Sequence, residues 1–275
     1  ARLRGLLAAA LTFDPHPAAC FRPDLAPFLI TEIDERAHWL HHYGIEQTIV
    51  ATFDRAFASI TPDAFVHDVL AQQLGARLVV VGPDFSFGVK RSGTREDLVR
   101  LGDDAGIDIF VLDEQRAGGM QWRSTSIRSL IQGGKVAGAA EVLGHPVVLA
   151  GTVVQGMARG RKLGFPTANL RLSEYQIAPK NGVYACRVAT DSGTWTPAIM
   201  NIGLAPTFSD RDRDSHRPVP EVHLLDQPAD TDLYGQRLRV ALVERIRGER
   251  RFRDSEALIE RIAVDVALAR RMLGA

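Results

Sequence analysis

The chain has 275 residues, with 33 basic and 33 acidic side chains and a formal net charge of zero. That balance excludes a global field drawing the protein to nucleic acid or to an anionic membrane, so small molecules are the expected partners. Its two cysteines, Cys20 and Cys186, are too few and too far apart for a disulfide framework or a zinc site, and a reducing cytoplasm fits them.

At about 150 residues per domain, the length predicts two domains. The opening "ARLRGLLAAALTFDPHP" imitates a signal peptide, but its apolar run "LLAAAL" is short and "TFDPHP" stands where a small-residue cleavage site belongs. A buried strand is the better reading. No uninterrupted apolar run reaches the roughly 18 residues that a membrane-spanning helix needs.

Up to residue 145, strand-like runs ("LLAAALTF", "QTIVATF", "ARLVVVG", "IDIFVL") alternate with helical ones ("EIDERAHWLHHYG", "TPDAFVHDVLAQQLG", "TREDLVRLGDDAG"). The alternation predicts a parallel sheet flanked by helices, an α/β first domain over 1–145. Thr61 is the expected cap of the second of these helices, with Pro62 at its first position. Ligands of such sheets bind beyond the carboxyl ends of the strands, so the loops "TFDPHP" and "GPDFSFG" are the places to search.

From 146 to 275 the runs "VVLAGTVVQG", "GVYACRVAT", "WTPAIMNIG", "EVHLLD" and "QRLRVALVERIRG" are all strand-like and are separated by Gly, Pro and Asp. They predict a small antiparallel β-barrel. One helix closes the chain, capped by Asp254 or Ser255, with Leu258, Ile259, Ile262, Val266 and Met272 expected near one face.

The first two barrel strands are joined by "GMARGRKLGFPTANL". Gly156, Gly160 and Gly164 recur at four-residue spacing among Arg159, Arg161 and Lys162. Backbone amides and cations in a glycine-rich loop suit a polyphosphate, although no Walker pattern is present. Pro166 fixes the backbone ahead of Thr167, whose hydroxyl and the Asn169 amide oxygen are neutral donors suited to a magnesium ion. The alternative is a charged barrel loop without a ligand.

At this point the sequence resembles a known family. "GTVVQGMARGRKLGFPTANL" is similar to the riboflavin kinase signature of bacterial bifunctional FAD synthetases, and the likeness continues through "NGVYACRV", "MNIGLAPTF", "EVHLLD", "DLYG" and "RGERRF". It implies that Gly156, Gly160, Arg161, Gly164, Thr167 and Asn169 bind ATP, with Thr167 and Asn169 on Mg2+. It also implies that Glu221 is the base acting on riboflavin and that Asn201 and Phe208 lie near the flavin. The first half is similar to the FMN adenylyltransferase domain of the same family, a Rossmann-like nucleotidyltransferase fold, on "LTFDPHP", "VVVGPDFSFG" and "RSTSIRSLIQGGKV". There Ser124 or Thr125 would cap a helix whose amino terminus favours an anion, and Arg128 would clamp phosphate. His16, Asp84 and Phe87 become flavin-binding candidates.

The resemblance also implies an amino-terminal strand ending in a Gly-x-Phe-Asp-x-x-His-x-Gly-His pattern, which this sequence does not contain. The expectation is that the segment belongs upstream in a longer protein. The implied activity is FAD biosynthesis from riboflavin, FMN and ATP. The alternatives are a monofunctional riboflavin kinase with a degenerate first domain and a non-catalytic flavin-binding protein. A dinucleotide-dependent oxidoreductase is disfavoured, because no Gly-x-Gly-x-x-Gly follows an early strand. Oligomeric state stays open.

Overall fold

The computed structural model describes residues 1–22, 24, 26–113, 116–117, 120–121, 123–156, 160, 163–190, 193–204, 218–226 and 231–275. It divides into two compact units, one of Ala1–Leu25 with Arg36–Trp122 and the other of Ala26–Glu35 with Arg123–Ala275.

In the first unit, β1 (Ala9–Asp14) pairs in parallel with β2 (Gln47–Thr52), and β3 (Leu78–Val81) pairs in parallel with β4 (Asp108–Val111). The parallel pairing expected from the alternation is therefore present, as two strand pairs that share one core. Leu11 of β1 packs into the same cluster as Val79 and Val81 of β3, beneath Phe65, Val66, Val69 and Leu70 of the long helix and Leu98 and Leu101 of a later one. The long helix, α3, starts as Pro62–Ala64 and continues with π winding over Phe65–Gln73. It begins as anticipated, since the Thr61 hydroxyl accepts the Ala64 amide at 3.2 Å with Pro62 at the first turn. The later helix, α4 (Arg95–Asp104), opens with a reciprocal capping box between Thr94 and Asp97, an arrangement in which the cap alone stabilises a helix by about 1 kcal/mol. Before α3 in the chain come α1 (Pro17–Phe21) and α2 (Ile33–His42).

The second unit is a closed six-stranded barrel in the order β10-β11-β8-β7-β12-β9. Its strands are β7 (Val147–Val154), β8 (Ala168–Leu172), β9 (Gly182–Ala189), β10 (Thr196–Leu204), β11 (Pro218–Leu224) and β12 (Arg237–Arg247); β5 (Arg116–Ala117) and β6 (Met120–Gln121) are a short hairpin of the first unit. Alternate residues of the barrel point inward, and Leu149, Leu170, Tyr184, Met200, Ile202, Val222, Leu238 and Val240 fill the interior. Two helices ahead of β7 complete this core. From α5 (Ser124–Gln132) come Ile127 and Ile131, and from α6 (Val136–Leu143) come Val136 and Ala139.

Residues 26–35 lie along the barrel. The amides of Phe28 and Leu29 donate to the Tyr175 carbonyl at 2.7 Å each, and buried Glu35 receives both arms of the Arg239 guanidinium, at 2.7 and 3.0 Å. The last helix, α7 (Ser255–Leu273), is capped by Asp254, which accepts the Ala257 amide at 2.8 Å. Its buried positions are Asp265, Ala269 and Leu273, while Ile259 and Met272 are 37% and 43% exposed. The expected apolar face thus rotates, because Arg247 and Arg261 reach Asp265 at 2.7 and 2.9 Å and let a carboxylate take a buried position.

Candidate functional site

Because Leu170, Ile202 and Val222 point into the barrel, their neighbours Asn169, Asn201 and Glu221 point out of it. Strand register brings these three together. Asn169 of β8 is the partner of Glu221 on β11, and Glu221 is the partner of Asn201 on β10. Directly opposed residues hold their Cβ atoms about 5 Å apart, so an amide, a carboxylate and a second amide form a row across the outer barrel face. The row brings a basic carboxylate and amide groups that can donate or accept within reach of one bound molecule.

The β7–β8 connection folds back over one end of the row. A Cβ on Gly156 would overlap the Asn169 amide nitrogen and lie 2.6 Å from its Cγ, so only glycine lets the backbone pass the Asn169 side chain. A Cβ on Gly160 would overlap the Phe165 carbonyl and stand 2.9 Å from the Thr167 hydroxyl. The Gly160 carbonyl accepts the amides of Leu163 and Phe165 at 3.1 and 2.9 Å, closing a tight turn in which Gly164 has φ +85°. The glycines that the sequence spacing singled out therefore press the loop backbone onto Thr167 and Asn169. Arg161 and Phe208 lie outside the described residues.

His223 was not anticipated. It lies two residues beyond Glu221 on the same outward face, donates from Nδ1 to the Pro166 carbonyl at 2.8 Å, and meets the Phe165 ring edge-on at 5.6 Å between centroids. A carbonyl can only accept, so this contact fixes the proton on Nδ1 and the orientation of the ring. The bond ties the loop to β11 one residue before Thr167. The signal available in the sequence was the period-2 placement of Glu221 and His223 in "EVHLL", which puts both on one face.

The remaining candidates belong to other elements. In the second unit, α5 starts at Ser124 and its cap position is Arg123, with no side-chain cap bond. Ser124 and Thr125 are thus first-turn residues of the helix, not its cap. Arg128 donates Nε to the Phe28 carbonyl at 2.7 Å and lies over the Phe28 ring at 5.9 Å, and burial lowers its pKa from the ordinary arginine value. In the first unit, the His16 Nδ1 accepts the Ala18 amide at 3.1 Å and caps α1. Phe87 is 6% exposed and stacks on Phe85 at 5.6 Å, a core position beneath the loop that carries Asp84.

Two features of the first unit were missed. Arg36 of α2 donates to the Thr12 hydroxyl of β1 at 2.7 Å, and its pKa is lowered because burial outweighs the opposing charge of Asp14. Lys90 and Arg91, in the loop after β3, both have left-handed backbone, φ 52° and 58°, a conformation non-glycine residues adopt mostly where function or tertiary context imposes it. Among the described residues, no group of three His, Cys, Asp or Glu side chains could hold a metal, and no helix is long and apolar enough to cross a membrane.

Comparison with known proteins accounts for both units. The family model described as FAD synthetase matches residues 1–126, and the one described as riboflavin kinase matches residues 143–273. The bifunctional riboflavin kinase/FMN adenylyltransferase of Escherichia coli (strain K12) is 36% identical over 273 residues, covering 99% of this chain and 85% of that protein. The protein of the same description from Bacillus subtilis (strain 168) is 33% identical over 265 residues, covering 95% of this chain and 81% of that protein. A crystal structure of a macrolide-efflux protein from Streptococcus pneumoniae superposes with a TM-score of 0.80 at 29% identity, over 98% of this chain and 85% of that one; the efflux description is that protein's own. With both domains matched in order and relatives of one description at this identity, the chain belongs to the bifunctional riboflavin kinase/FMN adenylyltransferase family, whose members make FAD by phosphorylating riboflavin to FMN with ATP and then adenylylating the FMN.

Proposed function

We propose that riboflavin is phosphorylated on the outer face of the barrel, with Glu221 as the general base and with Thr167 and Asn169 holding Mg-ATP under the Gly156–Gly164 loop. The observation that carries this reading is the register of Asn169 with Glu221, together with the absence of room for any side chain at Gly156 above Asn169. The Glu221 carboxylate takes the proton from the terminal ribityl hydroxyl as that oxygen bonds to the γ-phosphorus and ADP departs. Phosphoryl transfer asks a protein mainly for alignment and charge neutralisation, and one carboxylate beside a clamped triphosphate meets that demand.

Two neutral oxygens, from the Thr167 hydroxyl and the Asn169 amide, fit Mg2+, which keeps several waters and completes its shell with substrate phosphates. When bound, the ion would neutralise charge on the β- and γ-phosphates; His223 and the glycines hold the loop that presents the two donors. In the first unit, the strand-end loops that carry His16, Asp84 and Lys90–Arg91, with Arg36 beside Thr12, are the proposed ground for adenylyl transfer. At the start of α5, the amides of Ser124 and Thr125 with the Arg128 cation suit a phosphate. A cytoplasmic location is proposed on the free state of both cysteines and the use of ATP. Thr167→Ala and Asn169→Ala are expected to raise the KM for Mg-ATP while riboflavin binding, followed by flavin fluorescence, stays within about twofold, as for lost polar contacts confined to the nucleotide. Unchanged ATP kinetics in both variants would remove the proposed metal donors.

A further inference from the structure

Arg128 is held by a part of the chain a hundred residues away. It stands one turn into α5 from Ser124, on the face that carries the first-turn amides. Its side chain is partly buried, and among the described residues no carboxylate pairs with it. The segment 26–35 meets it instead. The Phe28 carbonyl accepts from Arg128 Nε at 2.7 Å, and the guanidinium carbon lies over the Phe28 ring, 5.9 Å from its centroid. A partly buried cation without a counter-charge costs stability, so the arrangement calls for a role other than holding the fold together.

Phe28 is itself fixed. Besides the two amides that Phe28 and Leu29 direct at Tyr175, the Leu29 carbonyl accepts the Ile177 amide at 2.9 Å, so this stretch bridges in parallel to the chain at Gln176. Gln176 is buried, and its side-chain amide serves β7 as a strand partner, accepting from the Ala150 amide and donating to the Val148 carbonyl at 3.2 Å each. The Phe28 ring also meets the Tyr175 ring at 6.0 Å between centroids. The ring that backs Arg128 is thereby braced against the barrel's own chain. With Nε committed to a carbonyl and one face of the guanidinium on a ring, the plane of the group is set, and its Nη1–Nη2 edge is the part left for two parallel bonds to phosphate oxygens. We propose that Phe28 is a positioning residue for FMN adenylylation, its carbonyl and ring orienting Arg128 so that both Nη groups meet a phosphate of ATP. The inference rests on the assignment of Arg128 to phosphate made above, and it gives the segment 26–35 a part in that half-reaction.

The test measures conversion of supplied FMN to FAD by the intact protein, with riboflavin phosphorylation recorded on the same samples as the control for folding. Phe28→Leu keeps the carbonyl and most of the side-chain volume but removes the ring face, and it is expected to lower kcat/KM for ATP in FAD formation about tenfold, the scale of a partly desolvated cation–π contact. Phosphorylation should stay within about twofold, and Phe28→Tyr, which keeps the ring, should form FAD at nearly the rate of the unsubstituted protein. In an Arg128→Ala background Phe28→Leu should cost nothing further, because the ring acts only through the guanidinium. Equal loss of both activities in Phe28→Leu, or an undiminished further loss in the Arg128→Ala background, would make Phe28 a packing residue and overturn the proposal. FAD formation at full rate in Phe28→Leu while Arg128→Ala is impaired would overturn the positioning and leave the phosphate clamp standing; full rate in Arg128→Ala would remove both.

Discussion

Removing residues 1–145 tests how far the barrel is self-sufficient. A fragment that begins at 146 keeps every barrel strand, the β7–β8 loop and α7, but it loses Ile127, Ile131, Val136 and Ala139, which are 8%, 0%, 0% and 0% exposed within the barrel-side core. Burying one Ile or Val side chain stabilises a fold by about 1.5–3 kcal/mol, so the three larger residues together contribute about 5–9 kcal/mol. A domain of this size has only about 5–15 kcal/mol in total. A fragment starting at 123 keeps all four residues and loses mainly the segment 26–35, whose Glu35–Arg239 pair leaves behind an arginine that can turn to solvent. The 123–275 fragment is therefore expected to unfold cooperatively and to phosphorylate riboflavin, while the 146–275 fragment melts at least 15 °C lower or shows no transition. Thermal unfolding by circular dichroism, with FMN formation measured on the same samples, decides it. Equal melting temperatures for the two fragments would refute the assignment of α5 and α6 to the barrel core.

Other consequences follow from single positions. Gly156→Ala forces a Cβ into the Asn169 amide, and it is expected to lower kcat/KM for ATP by about tenfold or more while leaving the melting temperature within a few degrees, since Gly156 is no part of the barrel core; wild-type kinetics would show that the loop has room to shift. Burial pushes the Cys186 thiol well above its ordinary pKa, so a thiol reagent at neutral pH should label Cys20 alone in the folded protein and Cys186 only on unfolding. Two fast-reacting thiols in the native state would contradict the sealed barrel interior.

Much of this architecture was legible because its signals are local. Thr61 before Pro62 and Asp254 before the last helix are caps readable within four residues, and alternating apolar runs separated by Gly, Pro and Asp mark the barrel strands. The close approach of the β7–β8 loop to Thr167 and Asn169 was legible through Gly156 and Gly160. What escaped depends on pairings between distant residues. His223 is held by Pro166 and Arg36 by Thr12, and no periodicity joins such positions. The same cause explains α7, where hydrophobic spacing selected Ile259 and Met272 but Asp265 is buried by virtue of Arg247 and Arg261, neither of which a helical pattern can register. At α5, Ser124 and Thr125 looked like caps because their residue types favour that position, yet the helix begins one residue earlier in the turn, at a backbone set by Arg123.

Glu221→Gln separates the two half-reactions when both are measured on the same protein. The amide keeps the size of the carboxylate and cannot take a proton, so riboflavin phosphorylation should fall by about 10²- to 10⁴-fold. Conversion of supplied FMN to FAD should run at the same rate as in the unsubstituted chain, because Glu221 belongs to the barrel unit alone. Phosphorylation at the unsubstituted rate would rule out Glu221 as the base and place that role on another residue.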